Sequence, residues 1–289
     1  MSTVAPFVRV LDAPPVLARL YPRAVTSRPD PSADPTRTAL EQRGVRVDAD
    51  RLAAYDRVCG FPLRDDLPPT FPHILGFGAQ MALMVTEPFP FRLVGLVHVR
   101  QRIEQSRPLR LGEELTVRAS AAPVRSHRSG AVVDLVAEVG TGDGEPVWRG
   151  VSTYLARGAS APAGAVADDA VDLPMPDAGQ PALWRVPADT GRRYAGVSGD
   201  VNPIHLSTAS ARLLGFKRAI AHGMWTAARS LATLDARLPQ ALTVDVQFAK
   251  PLLLGSTVQH VAARDGDGWR TAVRGRGGIP HVVTRVLPG

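Results

Sequence analysis

An internal repeat is the feature that most constrains the fold of this 289-residue chain. Residues 46–60 match residues 185–199 at a constant offset of 139, with Arg, Val, Ala, Asp, Tyr, Val and Gly in common. Further along, residues 108–112 match residues 251–255 at an offset of 143. Both matches occur in the same order, and a loop insertion explains the drift of four residues. The chain is therefore expected to contain two copies of one structural unit.

Each copy has the same predicted order of elements, a buried helix followed by several long strands. The first copy has a nearly all-apolar helix at 74–85 and strands at 93–103, 114–121, 131–139 and 147–155. The second has a helix from about 223 to 234 and strands at 242–248, 257–263, 270–274 and 281–286. A helix that is apolar on all sides must be buried. One helix wrapped by a long antiparallel sheet is the α+β arrangement of the hotdog fold, so two tandem hotdog units are predicted.

Low-complexity segments set the expected domain boundaries. Residues 1–40 form a Pro- and Arg-rich N-terminal extension, with a short helix predicted at 14–20 and a loop at 30–35. Residues 158–181, rich in Ala, Pro, Gly and Asp, are expected to link the two copies. The hotdog units then occupy residues 41–157 and 182–289.

Composition excludes several classes of protein. Hydrophobic residues make up 45% and charged residues 21% of the chain, as in a globular protein, and no apolar run is long enough for a membrane span. The net charge of +7 comes from scattered arginines without a dense basic tract, so no nucleic-acid partner is expected. The single Cys59 excludes a disulfide framework, and residues 1–6 lack the pattern of a signal peptide. A cytoplasmic location is the simplest expectation.

The stretch that carries chemistry is 194–205, which includes Ser-Gly-Asp-Val-Asn-Pro-Ile-His. Its glycine and proline prevent regular helix or strand, so a loop can turn Asp200 and His205 toward one point. A carboxylate and an imidazole that share one water form a general acid–base pair. Gly223 follows at the expected N-terminus of the buried helix, where a free amide and the helix dipole favour negative charge on a nearby oxygen.

These segments resemble the signature of the MaoC-like, (R)-specific enoyl-CoA hydratase family. That signature is an aromatic residue, Ser-Gly-Asp-x-Asn-Pro-x-His, a small residue, and Ala-His-Gly opening the central helix; every position is met here. The resemblance covers roughly residues 183–289, and the degenerate first copy extends it to most of the chain. It implies reversible hydration of trans-2-enoyl thioesters of CoA or acyl carrier protein to (R)-3-hydroxyacyl thioesters, in fatty-acid or polyketide-type metabolism. No cofactor and no metal are implied.

The resemblance also implies roles for individual residues. Asp200 and His205 would hold the catalytic water, and the Gly223 amide would bind the thioester carbonyl. Asn202 would fix the loop or help to position the water, and Ser198 would support the loop or the Asp200 carboxylate. Taken singly, Asp200 could be an Asx-turn residue and His205 a structural histidine, but their combination in one motif favours catalysis. His222, one residue before Gly223, is assigned a packing role.

The first copy lacks the catalytic side chains. At the offset of 139, Asp200 corresponds to Phe61, Asn202 to Leu63 and His205 to Asp66, and none of the three can do the same chemistry. The first copy is therefore predicted to be non-catalytic and to serve the acyl chain of the substrate. Gly76 and Gly78 in its helix could open a channel for that chain, with core packing as the simpler alternative.

Other functions remain open at this point. A hotdog thioesterase would use other acidic residues, and a non-catalytic acyl-thioester-binding or carrier-protein-docking module would not need the pair. Lys217, Arg218 and Lys250 could bind the phosphates of CoA or could be solvated surface charges. A homodimer of double-hotdog chains is a compatible assembly. Chain length, carrier and physiological direction are not determined by the sequence.

Overall fold

The computed structural model describes residues 5–142 and 144–289. The first four residues of the N-terminal extension, which belong to the segment searched for a signal peptide, lie outside the described residues. The helices are α1 (Leu17–Thr26), α2 (Ala49–Cys59), α3 (Phe71–Thr86), α4 (Thr190–Ser198), α5 (Pro203–Leu206), α6 (Thr208–Leu213) and α7 (Gly223–Ala232). The strands of the first half are β1 (Phe7–Val10), β2 (Thr38–Val45), β3 (Val97–Gln105), β4 (Leu115–Ala121), β5 (Arg125–His127), β6 (Gly130–Thr141) and β7 (Trp148–Arg157). The strands of the second half are β8 (Ala182–Arg185), β9 (Leu242–Phe248), β10 (Thr257–Asp265), β11 (Gly268–Arg274) and β12 (Pro280–Pro288).

Contacts divide the chain into two compact units. Unit 1 comprises residues 1–46, 72–101 and 112–171, and unit 2 comprises residues 47–71, 102–111 and 172–289. The segments 47–71 and 102–111 come from the first sequence copy, so these units differ from the predicted domains. The predicted boundaries follow the repeat rather than the contacts, and they remain a prediction.

In unit 1 a buried helix lies on an antiparallel sheet. The strands pair in the order β2-β4-β6-β7, with β1 added parallel to β2 and β5 paired with β6. Alternate residues of β4 are buried, as expected for a strand with one face on the core. Helix α3 packs its apolar side chains against this face, and its Gln80 amide donates a hydrogen bond to the Leu135 carbonyl oxygen at 3.1 Å. The Gln80 Nε2 donor is therefore satisfied inside the core, whereas its Oε1 is buried without a hydrogen-bond partner among the described residues.

Unit 2 repeats this arrangement around α7. The strands pair antiparallel in the order β9-β12-β11-β10-β8. Leu242, Val244 and Val246 alternate inward along β9, and Leu231 of α7 is fully buried. Helix α7 lies against β11 and β12. The predicted α+β architecture, with one helix and an antiparallel sheet in each unit, is confirmed.

The repeat is visible in local structure as well. Helix α2 of the first copy and α4 of the second both end in a glycine in the left-handed conformation, Gly60 with φ 84° and Gly199 with φ 77°. A non-glycine residue would be strained there. Both helices belong to unit 2, where the equivalent tyrosines Tyr55 and Tyr194 are buried with ring centroids 6.1 Å apart. The sequence match at the offset of 139 therefore corresponds to two similar helices with the same C-terminal cap.

Some predicted bounds are wrong. Helix α1 begins at Leu17, after the two prolines, and continues through Pro22 to Thr26, whereas a helix was predicted at 14–20. Its Leu20 and Ala24, four residues apart, are buried in unit 1, so packing extends the helix beyond the predicted end. Strand β3 begins four residues later than expected, because a turn closed by Leu96 N–H and the Leu93 carbonyl oxygen at 3.2 Å occupies the start.

The two glycines of α3 have different surroundings. A Cβ added to Gly76 would lie 2.5 Å from the Ala137 Cβ, far inside ordinary contact distance. At Gly78 the nearest atom to such a Cβ is the Pro15 carbonyl oxygen at 3.4 Å. Gly76 lets the helix approach the sheet closely, so the expectation that it widens an acyl channel is wrong and the packing alternative holds there.

Candidate active site

The predicted catalytic stretch folds into two helix ends joined by a tight loop. Helix α4 ends at Ser198, Gly199 caps it, and α5 begins at Pro203. The Ser198 hydroxyl donates to the Tyr194 carbonyl oxygen at 2.8 Å and accepts from the Asp200 amide at 3.1 Å. Ser198 thus supports the backbone of the loop rather than the Asp200 carboxylate.

Asn202 and Asp200 shape the next turn. The Asn202 amide donates to Asp200 Oδ1 at 3.2 Å, which is an Asx turn. Asn202 Oδ1 accepts from the Ile204 amide at 3.4 Å and so caps the short helix α5. Asp200 therefore has a structural role through Oδ1, while its Oδ2 lies toward the histidines. Asn202 fixes the loop, which is one of the two roles expected for it.

The loop brings Asp200, His205 and His222 together. One carboxylate oxygen of Asp200 and one ring nitrogen of each histidine lie within 4.8 Å of one another. His205 and His222 are 8% and 2% exposed, and the Asp200 side chain is 24% exposed. One water molecule can contact both the carboxylate and the imidazole at this separation. The structure thus brings the two predicted catalytic side chains to one point.

The hydrogen bonds assign the protons of both histidines. His205 Nδ1 lies 2.9 Å from the Ile220 carbonyl oxygen, and His222 Nε2 lies 3.0 Å from the Asp200 carbonyl oxygen. A carbonyl oxygen can only accept, so each of these nitrogens carries the hydrogen. The other nitrogen of each neutral ring, Nε2 in His205, then keeps a free lone pair. His205 is thereby set up as a base.

Burial keeps the histidines neutral. The pKa of His205 is lowered to about 4, chiefly by burial and then by neighbouring His222, while Asp200 acts in the opposite direction. The pKa of His222 is also lowered by burial. Removing an imidazolium from water costs free energy, so the neutral form is favoured at neutral pH.

The sequence assigned His222 a packing role, and the structure adds contacts with both predicted catalytic residues. Its ring stacks on that of His205 with centroids 3.7 Å apart and planes inclined by 28°. Its Nε2 also lies 3.7 Å from Asp200 Oδ2. His222 therefore contacts both predicted catalytic residues. Its place in the Ala-His-Gly element of the motif was the sequence signal for it.

The ring orientations of the two histidines do not suit a metal ion. Ring nitrogens bind metals along lone pairs that lie in the ring plane. Two stacked rings direct those lone pairs side by side instead of converging on one ion. In addition, His205 Nδ1 is committed to the Ile220 carbonyl oxygen. The donor geometry fits proton transfer better than chelation.

Gly223 begins α7, so its amide has no acceptor within the helix. A Cβ added there would lie 2.8 Å from the ring of Phe248, so a side chain would displace this aromatic neighbour. The free amide and the positive end of the helix dipole favour a negatively charged oxygen at this point. Lys217, Arg218 and Lys250 are exposed.

This hotdog fold carries a half-buried aspartate beside a buried histidine, and a glycine amide at the start of its central helix. These features define a protein of the hotdog hydratase and dehydratase class. Residues 172–283 match the model of the MaoC like domain, and residues 53–149 match that of the FAS1-like dehydratase domain region. The 3-hydroxyacyl-thioester dehydratase X of Mycobacterium tuberculosis is 36% identical over 255 residues, which are 87% of this chain and 89% of the relative. The chain belongs to the MaoC-like dehydratase family.

Solved structures agree with this assignment. The crystal structure of HtdX of M. tuberculosis has a TM-score of 0.75 at 35% identity, and the match covers 87% of this chain and 100% of that one. A conserved M. tuberculosis protein described as having a double hotdog fold has a TM-score of 0.56 at 15% identity, over 84% of this chain and 92% of that one. The fold is a double hotdog. Among the described residues no helix is long and apolar enough to cross a membrane.

Proposed function

We propose that the protein is a hydro-lyase that adds water reversibly across the double bond of 2-enoyl thioesters. The observation that carries the proposal is the pairing of half-buried Asp200 with buried His205, with a free lone pair on His205 Nε2 and side-chain atoms within 4.8 Å of each other. Family membership supports the same reaction. The relatives named 3-hydroxyacyl-thioester dehydratase X and (R)-specific enoyl-CoA hydratase catalyse its two directions by name.

The reaction needs a base, a proton donor and a site for negative charge. His205 Nε2 accepts a proton from the water that Asp200 orients, and the water oxygen bonds to Cβ of the enoyl group. The electrons of the double bond move toward the thioester oxygen, where the Gly223 amide stabilises the developing charge. The Asp200–His205 pair returns a proton to Cα, so no net proton is consumed. Dehydration follows the same steps in reverse.

The substrate is an acyl thioester carried on CoA or on acyl carrier protein, with the (R)-3-hydroxyacyl thioester as the hydrated form. The motif resemblance supports this stereochemistry. Exposed Lys217, Arg218 and Lys250 are candidates for contacting the carrier. A homodimer of double-hotdog chains is the proposed assembly.

The first copy is proposed to be non-catalytic. Its counterparts of Asp200, Asn202 and His205 each have a different environment. Phe61 is buried at 6% exposure, Leu63 is 57% exposed, and Asp66 Oδ1 pairs with Arg110 Nε at 2.9 Å. A water held between a base and an acid is not possible with these three side chains.

The decisive test is an assay of enoyl thioester hydration with Asp200→Asn and His205→Gln. Loss of the enoyl absorbance of crotonyl-CoA and of a longer enoyl-CoA measures hydration, while a thiol reagent measures CoA release. Each variant should lower turnover by roughly a hundredfold or more and keep a wild-type circular dichroism spectrum. Near-normal turnover in either variant would remove that residue from the mechanism. Release of CoA by the wild type, without loss of the double bond, would identify a thioesterase instead.

A further inference from the structure

Unit 2 contains a cavity, which we name the arginine cavity. It has a volume of about 310 Å³ and is lined by residues of α2, β8, α4 and α7. Its charged and aromatic lining consists of Arg57, Arg185, Arg193, Arg229, Trp184 and Trp225. Asp200, His205 and Gly223 are not among the lining residues. A volume at the lower end of the range for small-molecule sites, roughly 300–1,000 Å³, fits a small ligand.

The cavity is strongly positive. No carboxylate lines it, and within the described residues no carboxylate oxygen lies within 4.0 Å of any of its four guanidinium groups. Other partly buried arginines do have a carboxylate partner: Arg125 binds Asp134 at 2.7 Å, and Arg285 binds Asp245 at 2.7 Å. Four like charges around one cavity repel each other unless an anion compensates them. The cavity therefore has the electrostatics of an anion site.

Arg229 is held in position at this site. It is half-buried on α7, with its guanidinium 5.7 Å from the centroid of the Trp184 ring. Trp184 in turn stacks on His260 with centroids 4.2 Å apart and planes inclined by 5°. Gly60 makes room for the arginine, since a Cβ there would overlap Arg229 Nη1. An arginine that is ordered before binding loses less entropy when it meets a ligand.

The start of α4 adds a second source of positive potential. Thr190, the first residue of this nine-residue helix, lines the cavity, and Asp189 before it makes no side-chain cap. The Thr190 amide donates to the Pro187 carbonyl oxygen at 3.2 Å, so the contribution of this helix end is its dipole, whose positive end attracts anions. Guanidinium groups bind phosphate oxygens through two parallel hydrogen bonds, and a diphosphate offers several such oxygens and enough negative charge to compensate more than one guanidinium.

We propose that the arginine cavity is a binding site for a diphosphate-bearing ligand, separate from the Asp200–His205 pair. The diphosphate belongs either to a separate small molecule or to the CoA carrier of the substrate, and these two sources differ in their effect on kinetics.

Calorimetric titration with inorganic diphosphate tests the site directly. Arg57→Gln and Arg193→Gln change exposed side chains of the cavity, so neither should disturb folding. Each should weaken diphosphate binding about tenfold, the effect of one lost charge-assisted hydrogen bond. Arg276→Gln, in the exposed turn between β11 and β12, is the matched control with the same loss of charge. Its affinity for diphosphate should be within twofold of that of the wild type. The same holds for Asp200→Asn, whose hydratase turnover is strongly lowered if the proposed function is correct.

Two results would overturn the proposal. The first is the absence of saturable binding by the wild type at millimolar diphosphate. The second is an equal loss in Arg276→Gln, which would reveal a general effect of net charge. Because binding is measured without turnover, neither result depends on the proposed function.

Kinetics with two thioesters identify the source of the diphosphate. Crotonyl-CoA carries a diphosphate, and the crotonyl thioester of N-acetylcysteamine does not. If Arg193→Gln raises KM for crotonyl-CoA alone, the cavity holds the carrier. If KM is unchanged for both, a separate ligand binds. If KM rises for both thioesters, Arg193 supports the active site instead of binding a diphosphate, and the proposal is wrong.

Discussion

Acidification is the most informative perturbation of the proposed mechanism, because it tests the protonation state of His205. Burial lowers the pKa of this imidazole from its ordinary 6.5 to about 4. A difference of that size corresponds to roughly 3 kcal/mol in favour of the neutral base. At pH 5.5, about a tenth of an ordinary histidine would be neutral, whereas more than nine tenths of His205 would be.

We therefore expect kcat/KM for hydration of crotonyl-CoA to stay within twofold between pH 7 and pH 5.5 and to fall only toward pH 4. Stability changes in the same direction. Between pH 6.5 and 4 the unfolded chain takes up protons that folded His205 and His260 do not, because burial lowers both of their pKa values to about 4. The free energy of unfolding should thus decrease as the pH falls through this window.

The assay needs a control that separates titration from unfolding. Circular dichroism at each pH, and recovery of activity after return to pH 7, identify the range in which the protein stays folded. A tenfold loss of kcat/KM between pH 7 and pH 5.5 in folded protein would mean that the essential base has an ordinary histidine pKa. The assignment of buried, neutral His205 as the base would then be wrong.

Three further substitutions test glycines that the structure explains. Gly223→Val should lower kcat more than it raises KM in steady-state hydration assays, because its side chain meets Phe248 and moves the amide that stabilises the carbonyl oxygen; a change in KM alone would indicate a steric role. Gly60→Ala should lower the free energy of unfolding in urea by about 1 kcal/mol more than Gly44→Ala. Both glycines have positive φ, but only at Gly60 does the added Cβ meet another side chain, that of Arg229; equal losses would contradict the steric account. Gly76→Ala should cost about 1–3 kcal/mol of stability, with recovery in the double variant Gly76→Ala/Ala137→Gly, whereas Gly78→Ala should be nearly neutral. Urea unfolding measures the stability of these Gly76 and Gly78 variants. A stable Gly76→Ala variant that rejects only long acyl chains would support the channel hypothesis.

Local chemistry was readable from the sequence. The glycine and proline of the stretch 194–205 predicted an irregular loop, which the structure has only at 199–202, because Tyr194 to Ser198 belong to α4 and His205 to α5. The alternation of apolar residues along 242–248 predicted β9 with the bounds that the structure has. The repeat at an offset of 139 predicted that α2 and α4 are equivalent elements. Each of these inferences depends on near neighbours in the chain.

Tertiary structure decided the features that depend on distant residues. Helix α1 continues through Pro22 because Leu20 and Ala24 are buried in the core of unit 1. The packing of Gly76 against Ala137, sixty-one positions apart, could not be inferred from α3 alone. The pKa of His205 depends on burial, on His222 and on the Ile220 carbonyl oxygen, and only the folded chain brings these groups together. The arginine cavity depends even more on tertiary structure, because its four guanidinium groups come from four different elements. Sequence patterns report the conformations that a segment prefers, whereas electrostatics and close packing depend on which segments meet.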